Sequence, residues 1–293
     1  MKYNGFEVII PMRTNKKISI IIPAYNEADR LADCLNAIAA LDLAPYEVLV
    51  VDNNSTDDTR RVAKQFSFVT LLHARQQGVV HARTLGFNKA RGEIIARIDA
   101  DTLVSPDWTL QLQQIFTDPE IAAVSGSIEY HDVAFRSFIA KIDLVLRAWL
   151  ARRMAGRVFL QGANMAIRRS AWQLVSHDLC ERSRMHEDLD LAIHLADSGQ
   201  KVIYSPQLMA GISGRRADTS PKSFYDYVML NPQTYKYHDA REYRYMYAII
   251  MIVLLCYLPL RVLFRSYDSK NQQFSWRLLF ADSTAERVNP AIF

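Results

Sequence analysis

Asp99-Ala100-Asp101 sets two carboxylates around a small residue, directly after the short strand-like run at 93–98. Hard carboxylate oxygens suit Mg2+ or Mn2+, ions that keep some waters and also bind substrate phosphates. A divalent cation held there would neutralise a leaving diphosphate. The plainer reading is a loop aspartate capping the next helix, although Ser105-Pro106-Asp107 already offers that cap. Asp52 ends a second apolar run, 47–51, and opens Asn53-Asn54-Ser55-Thr56-Asp57. A carboxylate at a strand end accepts hydrogen bonds from a base N–H or a ribose hydroxyl. The same turn caps a helix at Asp57 through Ser55 or Thr56. A third cluster is His186-Glu187-Asp188-Leu189-Asp190. Acids in a first helical turn favour the helix dipole. Three carboxylates in four residues exceed what a cap needs, and one of them facing a metal site would serve as general base on an incoming hydroxyl. The cluster does not continue as HExxH, which excludes a zinc protease of that kind.

These residues need a scaffold that brings strand ends together. The runs 18–22, 47–51, 68–72 and 93–98 read as buried strands by length and β-branched content. Helical patterns at 26–40 (Asn26 as N-cap), 57–66 and 79–90 alternate with them. This β-α-β-α-β-α-β order predicts an α/β fold with a mainly parallel, Rossmann-like sheet and helices on both faces. Ligands in such sheets sit at the carboxyl ends of strands, so residues 23–27, 52–57 and 99–101 should converge. The first turn is Pro23-Ala24-Tyr25-Asn26-Glu27; with no GxGxxG there, a dinucleotide-binding domain is disfavoured. Further on, 121–127 and 202–205 read as strands and 134–155 and 187–198 as helices, the latter stopped by Gly199. The segment 211–221 is expected to be a mobile loop.

Half of the 293 residues are hydrophobic and 23% are charged, a balance that excludes a disordered chain, a collagen and a disulfide miniprotein. Net charge is +4, but residues 136–184 alone carry 10 basic and 3 acidic residues, a local excess that points to an anionic partner. Cys34, Cys180 and Cys256 form no CxxC, which favours free thiols in a reducing compartment and argues against a structural zinc site. The first 17 residues lack an apolar core of signal-peptide length. The expected location is therefore the cytoplasmic side.

Taken in order, these motifs resemble family 2 glycosyltransferases, which have the A-type nucleotide-sugar-binding (GT-A) fold. The resemblance rests on 18–27 with 48–57, Ala82-Arg83, Gly86 and the run 90–95, then Asp99-Ala100-Asp101, Gly162-Ala163-Asn164 through Arg169, 187–191, Gly199 and 202–206. It implies an inverting transfer of a sugar from a UDP- or GDP-linked donor to a saccharide or lipid-linked acceptor, with Mg2+ or Mn2+ as cofactor. Pro23, Ala24, Tyr25, Glu27, Asp52, Asn54, Arg83, Asp99, Ala100 and Asp101 would bind the nucleotide sugar, with Tyr25 against the base. Asp101, with Asp99, would hold the metal. Asn164 and Glu187 would meet the donor sugar or acceptor, and Asp188 would be the catalytic base. The implied catalytic domain is 17–215, with a nucleotide half at 17–102 and an acceptor half at 103–215, between an extension at 1–16 and a C-terminal region at 216–293.

The family's processive members carry QxxRW after the acidic motif, and here only Gly214-Arg215-Arg216 follows. Single-sugar transfer is thus expected rather than polymer synthesis. Arg215 and Arg216 either reach the diphosphate or lie in a solvated basic loop. A sugar nucleotidyltransferase would need a glycine-rich basic loop after the first strand, which is lacking. A degenerate fold that only binds a partner is disfavoured by Asp52, Asp99, Asp101 and Asp188 occurring together.

Residues 245–260 carry no charge and span about 24 Å as a helix, short of the ~30 Å hydrocarbon layer. Seven of the 14 tyrosines lie at 225–247, just before this run. Tyrosine is enriched at membrane interfaces, so a membrane-associated helix over 245–264 is expected, with a buried core helix as the alternative. The 134–155 pattern sets Phe135, Phe138, Ile142, Leu146 and Trp149 in one stripe among arginines and Lys141. That suits an interfacial helix on an anionic leaflet. Because the basic block is bound up with this apolar stripe, nucleic acid is not expected as a partner.

Overall fold

Apolar β-branched runs divided by short turns make the first half a series of βα units. The computed structural model describes residues 16–154, 158–180, 184–268 and 271–280. It begins β1 (Ile18–Ala24), α1 (Ala28–Ala39), β2 (Glu47–Asp52), α2 (Thr59–Ala63), β3 (Val69–His73), α3 (Val79–Lys89) and β4 (Ile94–Ile98). The middle follows as β5 (Leu103–Val104), α4 (Trp108–Ile115), β6 (Ile121–Tyr130), α5 (Arg136–Arg153), β7 (Asn164–Arg168), α6 (Arg169–Val175), α7 (Glu187–Asp197) and β8 (Lys201–Ile212). A 3-10 turn at Arg215–Asp218 leads to α8 (Pro221–Val228), α9 (Leu230–Tyr237) and α10 (Tyr243–Arg265). A small hairpin of β9 (Tyr267–Asp268) and β10 (Gln273–Phe274) follows. The extension expected at 1–16 lies, apart from Lys16, outside the described residues.

Eight strands form one sheet in the order β3-β2-β1-β4-β7-β6-β8-β5. The β1–β2, β2–β3, β1–β4 and β6–β8 pairs are parallel; β4–β7, β6–β7 and β5–β8 are antiparallel. The sheet thus runs unbroken through both expected halves of the catalytic region. Alternation along β1 sends Ile20 and Ile22 into one core with Leu31, Leu35 and Trp108, and Ile21 into another with Phe87, Trp172 and Leu191. Helices cover both faces, as the βα order requires. Leu31, Leu35 and Ile38, spaced at three and four, are fully buried; each contributes about 1.5–3 kcal/mol by burial. Ala24 pairs with Asp52 in the β1–β2 register, so the turns after β1 and β2 leave the sheet side by side. With β2 on one flank of β1 and β4 on the other, those two turns and the one after β4 meet where strand order reverses.

Several local expectations are corrected. The helix expected from 26 begins at Ala28 with Glu27 in the cap position; Asn26 adopts φ 53 and its carboxamide oxygen accepts from Thr56 N–H at 2.8 Å. Asparagine tolerates this left-handed backbone, so it ties two turns together instead of capping. The helix expected at 57–66 shrinks to Thr59–Ala63, because Asp57 accepts from Thr59 N–H at 2.9 Å and makes a tight turn first. Neither Ser55 nor Thr56 caps it; Ser55 Oγ accepts from Asn26 N–H instead. The strand expected at 202–205 runs on to Ile212 through a register shift opposite Gly126 and Ser127. Residues 211–221 are therefore strand, 3-10 turn and the start of α8, which Ser220 caps by accepting from Ser223 N–H.

α5 has no buried residue among those described, so it is not a core helix. Phe138, Val145 and Trp149 are 66%, 66% and 41% exposed along one stripe with Ile142. α10, at 23 residues, is about 34 Å long, more than the uncharged run alone, because Arg244, Arg261 and Arg265 join its ends. It is long and apolar enough to cross a membrane. Met246, Ile250 and Tyr257 pack inward, while Met251, Ile252, Leu255, Leu258 and Val262 are exposed. Arg265 pairs with Asp218 at 3.2 Å and Tyr257 donates to Thr219 O, fixing this helix to the 3-10 turn.

Candidate active site

The turns after β1, β2 and β4, the start of α7 and the 3-10 turn surround one cavity of about 670 Å³. Pro23, Ala24, Tyr25, Glu27, Asp99, Ala100, Glu187, Asp188, Arg215 and Arg216 all line it. Asn53, Gln77 and Gly78 line it as well. Asn53 is held rigidly: its amide donates to Ala74 O and Gln76 O, and its oxygen accepts from Gly78 N–H at 2.7 Å.

Asp188 sits on the first turn of α7 and opens to the cavity. Its carboxylate accepts from Gly162 N–H at 2.9 Å and from Leu189 N–H at 2.8 Å. Burial, and then the negative charge of Glu187, push its pKa above the usual carboxylate range. Glu187 behaves oppositely. Burial opposes its charge, but Arg97 and Arg83 outweigh that and hold its carboxyl below the usual range. Two neighbouring acids with pKa values driven apart are the pattern of a proton acceptor beside a fixed anion.

Arg97 is a candidate site residue that the sequence reading missed; it too lines the cavity. It lies in β4, only 3% exposed, and donates from Nη1 to Glu187 Oε1 at 2.7 Å. Its Nη2 is 3.5 Å from Asp99 Oδ1. Burial opposes the charge, and Glu187 and Asp99 overcome it, so the guanidinium stays protonated. A Cβ on Gly162 would come within 2.5 Å of that guanidinium carbon, so glycine lets the loop lie against Arg97. The signal was present: a charged residue inside a buried apolar strand is uncommon unless paired.

Arg215 is also buried rather than solvated. Its Nη2 lies 2.5 Å from Glu27 Oε1 and 3.0 Å from Asp101 Oδ2. Arg216 stacks over the Tyr227 ring, 3.5 Å from its centroid. Burial and then the charges of Asp101, Asp99 and Glu27 raise the pKa of the Cys34 thiol, so these three carboxylates share one neighbourhood. Such a set of hard, anionic oxygens fits Mg2+ or Mn2+.

Five expected site residues do not line the cavity. Asp52 is fully buried behind it, paired with Arg60 Nε at 2.8 Å and accepting from Ser55 N–H at 3.1 Å. Asn54, at φ 65, donates to Arg75 O and Gln77 Oε1. Arg83 lies beneath α7 and donates to Glu187 O at 2.6 Å; burial lowers its pKa to about 10. Asp101 faces Arg215. Asn164 is completely buried: it donates to Ser127 O and Leu208 O and accepts from Trp108 Nε1. Its amide locks the β7 end rather than reaching the cavity.

The family model "Glycosyl transferase family 2" matches residues 19–182, more than half of the chain. The chain belongs to this family. Among curated relatives, the glycosyltransferase AglE of Haloferax volcanii is 36% identical over 120 residues, covering 39% of this chain and 40% of AglE. The O-antigen chain rhamnosyltransferase RfbN of Salmonella typhimurium is 26% identical over 200 residues, 64% of this chain and 63% of RfbN. This family member thus spans less than two thirds of the length of either relative. The mannosyltransferase PcManGT of Pyrobaculum calidifontis, solved with GDP-Man and Mn2+, superposes with a TM-score of 0.59 at 21% identity, covering 90% of this chain and 77% of that one. The superposition carries the GT-A fold of the family.

Proposed function

We propose that the protein transfers a single sugar from a UDP- or GDP-linked donor to an acceptor hydroxyl, with inversion, at a membrane surface. The observation that carries this reading is one cavity lined by both Asp99, at the end of β4, and Asp188, at the start of α7. Tyr25, Asn53 and Gln77 offer a ring face and amide groups at the nucleotide end. Asp188 takes the proton of the acceptor hydroxyl as its oxygen attacks the anomeric carbon. The bond from that carbon to the diphosphate breaks on the opposite side, and the nucleoside diphosphate leaves. Glu187, fixed by Arg97, stays ionised beside Asp188 and keeps its proton affinity high. Arg215 and Arg216 supply positive charge to the diphosphate. Asp99 and Asp101 would hold Mg2+ or Mn2+, which supplies charge neutralisation for the leaving group when bound. A fold that only binds a partner has no need of a cavity-facing base pushed to high pKa.

The acceptor side favours a lipid-linked hydroxyl. Leu146, Leu150 and Met154 at α5, and Ile249, Ile250 and Val253 of α10, form an apolar wall of the same cavity. The exposed faces of these two helices continue that wall outward. With Arg136, Lys141, Arg152 and Arg153 on α5, this surface suits an anionic leaflet. We place it at the cytoplasmic face. Titration calorimetry of UDP, GDP and their sugar conjugates, with Mn2+ or Mg2+, tests the donor half of the reading. Cation-dependent binding of one nucleotide class, weakened in Asp99→Ala, is expected. No nucleotide binding under any condition refutes it.

A further inference from the structure

Four side chains of metal-ligating type meet around α7, outside the lining of the cavity. Asp190 and His194 are one turn apart on α7, His238 ends α9, and Cys180 lies between α6 and α7. One ligand atom from each lies within 4.8 Å of all the others. Asp190 Oδ1 is 2.9 Å from His238 Nε2 and 3.5 Å from His194 Nε2. The two imidazoles stand at 88°, with centroids 5.2 Å apart. None of the four lines the cavity.

We propose that Cys180, Asp190, His194 and His238 bind one structural divalent ion of the zinc type. Bonds of about 2.0–2.3 Å in a tetrahedral site put neighbouring donors about 3.3–3.6 Å apart. The Asp190–His194 separation already falls in that range and the Asp190–His238 separation, at 2.9 Å, lies just under it, so side-chain rotation completes the set. A thiolate, a carboxylate and two imidazoles select zinc over Mg2+, which takes oxygen donors. Charge also balances: thiolate and carboxylate neutralise the ion, and both imidazoles bind neutral. Asp190 is 1% exposed, and its second oxygen accepts from Cys180 N–H at 3.0 Å, the outer hydrogen bond that orients a carboxylate ligand. No CxxC announces the site, because its donors come from three separate segments and include one cysteine.

The ion fastens the helix bearing Glu187 and Asp188 to the end of α9, and through α9 to α10. The full chain is assayed for bound metal and reconstituted with Co2+. About one zinc per chain is expected, and the cobalt form should show a thiolate charge-transfer band with tetrahedral d–d bands. Cys180→Ser should abolish the charge-transfer band, whereas Cys256→Ser should keep it. Chelation should lower the unfolding temperature of the wild type but not of His238→Ala. A chain without zinc after zinc-supplemented expression, and without the cobalt band, overturns the proposal. So does a band that survives Cys180→Ser, a one-atom change made to preserve the fold. None of these readouts uses sugar transfer, so they stand or fall apart from the proposed function.

Discussion

Replacing Arg97 by Met tests the electrostatic floor of the cavity. The Arg97 and Glu187 side chains are 4% and 8% exposed and 2.7 Å apart. At an effective dielectric of about 20, unit charges at that distance attract by roughly 6 kcal/mol. Desolvation cancels part of this, so removing one partner costs about 3–5 kcal/mol, chiefly from the charge left behind. For a chain of this length that lowers the unfolding temperature by about 5–8 °C. Glu187→Gln should fall at the low end, because Asp99 Oδ1 remains 3.5 Å from Arg97. The double variant should cost little more than one single, a coupling of about 2–3 kcal/mol. Catalysis adds a second readout. Arg97 also pulls the Asp188 pKa downward, so its loss should move the acidic limb of the kcat/KM profile to higher pH. The assay is urea and thermal unfolding of the four proteins, with the pH profile of each active one. Additive single effects below about 1 kcal/mol would show that the pair does not organise the site.

Asp188→Asn should cut turnover by about 10²–10⁴-fold yet unfold no lower than wild type. The sign follows from its raised pKa: its contribution to stability is present below the unfolded value near 3.9 and lost as pH rises through the folded one. At neutral pH the ionised group is therefore a penalty that Asn removes, and a lower unfolding temperature contradicts this. Arg215→Ala leaves Glu27 and Asp101 without their guanidinium. It should destabilise the chain, and added Mn2+ should raise its unfolding temperature more than that of the wild type; an equal rise in both argues against a cation at this acidic cluster. Val145→Asp with Trp149→Asp, on the exposed stripe of α5, should weaken flotation with anionic vesicles. Unchanged flotation removes α5 from the membrane surface.

The first half of the fold was legible because its strands are short apolar runs with immediate turns. Ile20 and Ile22, with Ile21 between them, announce both faces of the sheet. Asp99, Glu187 and Asp188 were legible for a related reason, since each sits at an element end where side chains leave the core. What escaped depended on distant partners. Arg215 reads as a loop cation until Glu27 and Asp101 are brought against it by the fold. Asn164 reads as a ligand until Trp108, Ser127 and Leu208 consume its amide. β8 was cut short at 205 because Pro206 and the polar residues around it hide a bulged strand. Asp52 stands where expected, at the end of β2, but Arg60 and Ser55 already engage it, and no local pattern records that.

The most direct measurement follows radiolabel from a panel of nucleotide sugars into membrane lipid extract, with Mn2+ or Mg2+, for wild type and Asp188→Asn side by side. The account predicts cation-dependent label in the lipid fraction from one donor, lost in the variant. Transfer that persists in Asp188→Asn, or no transfer from any donor by a wild type that binds nucleotide, would contradict it.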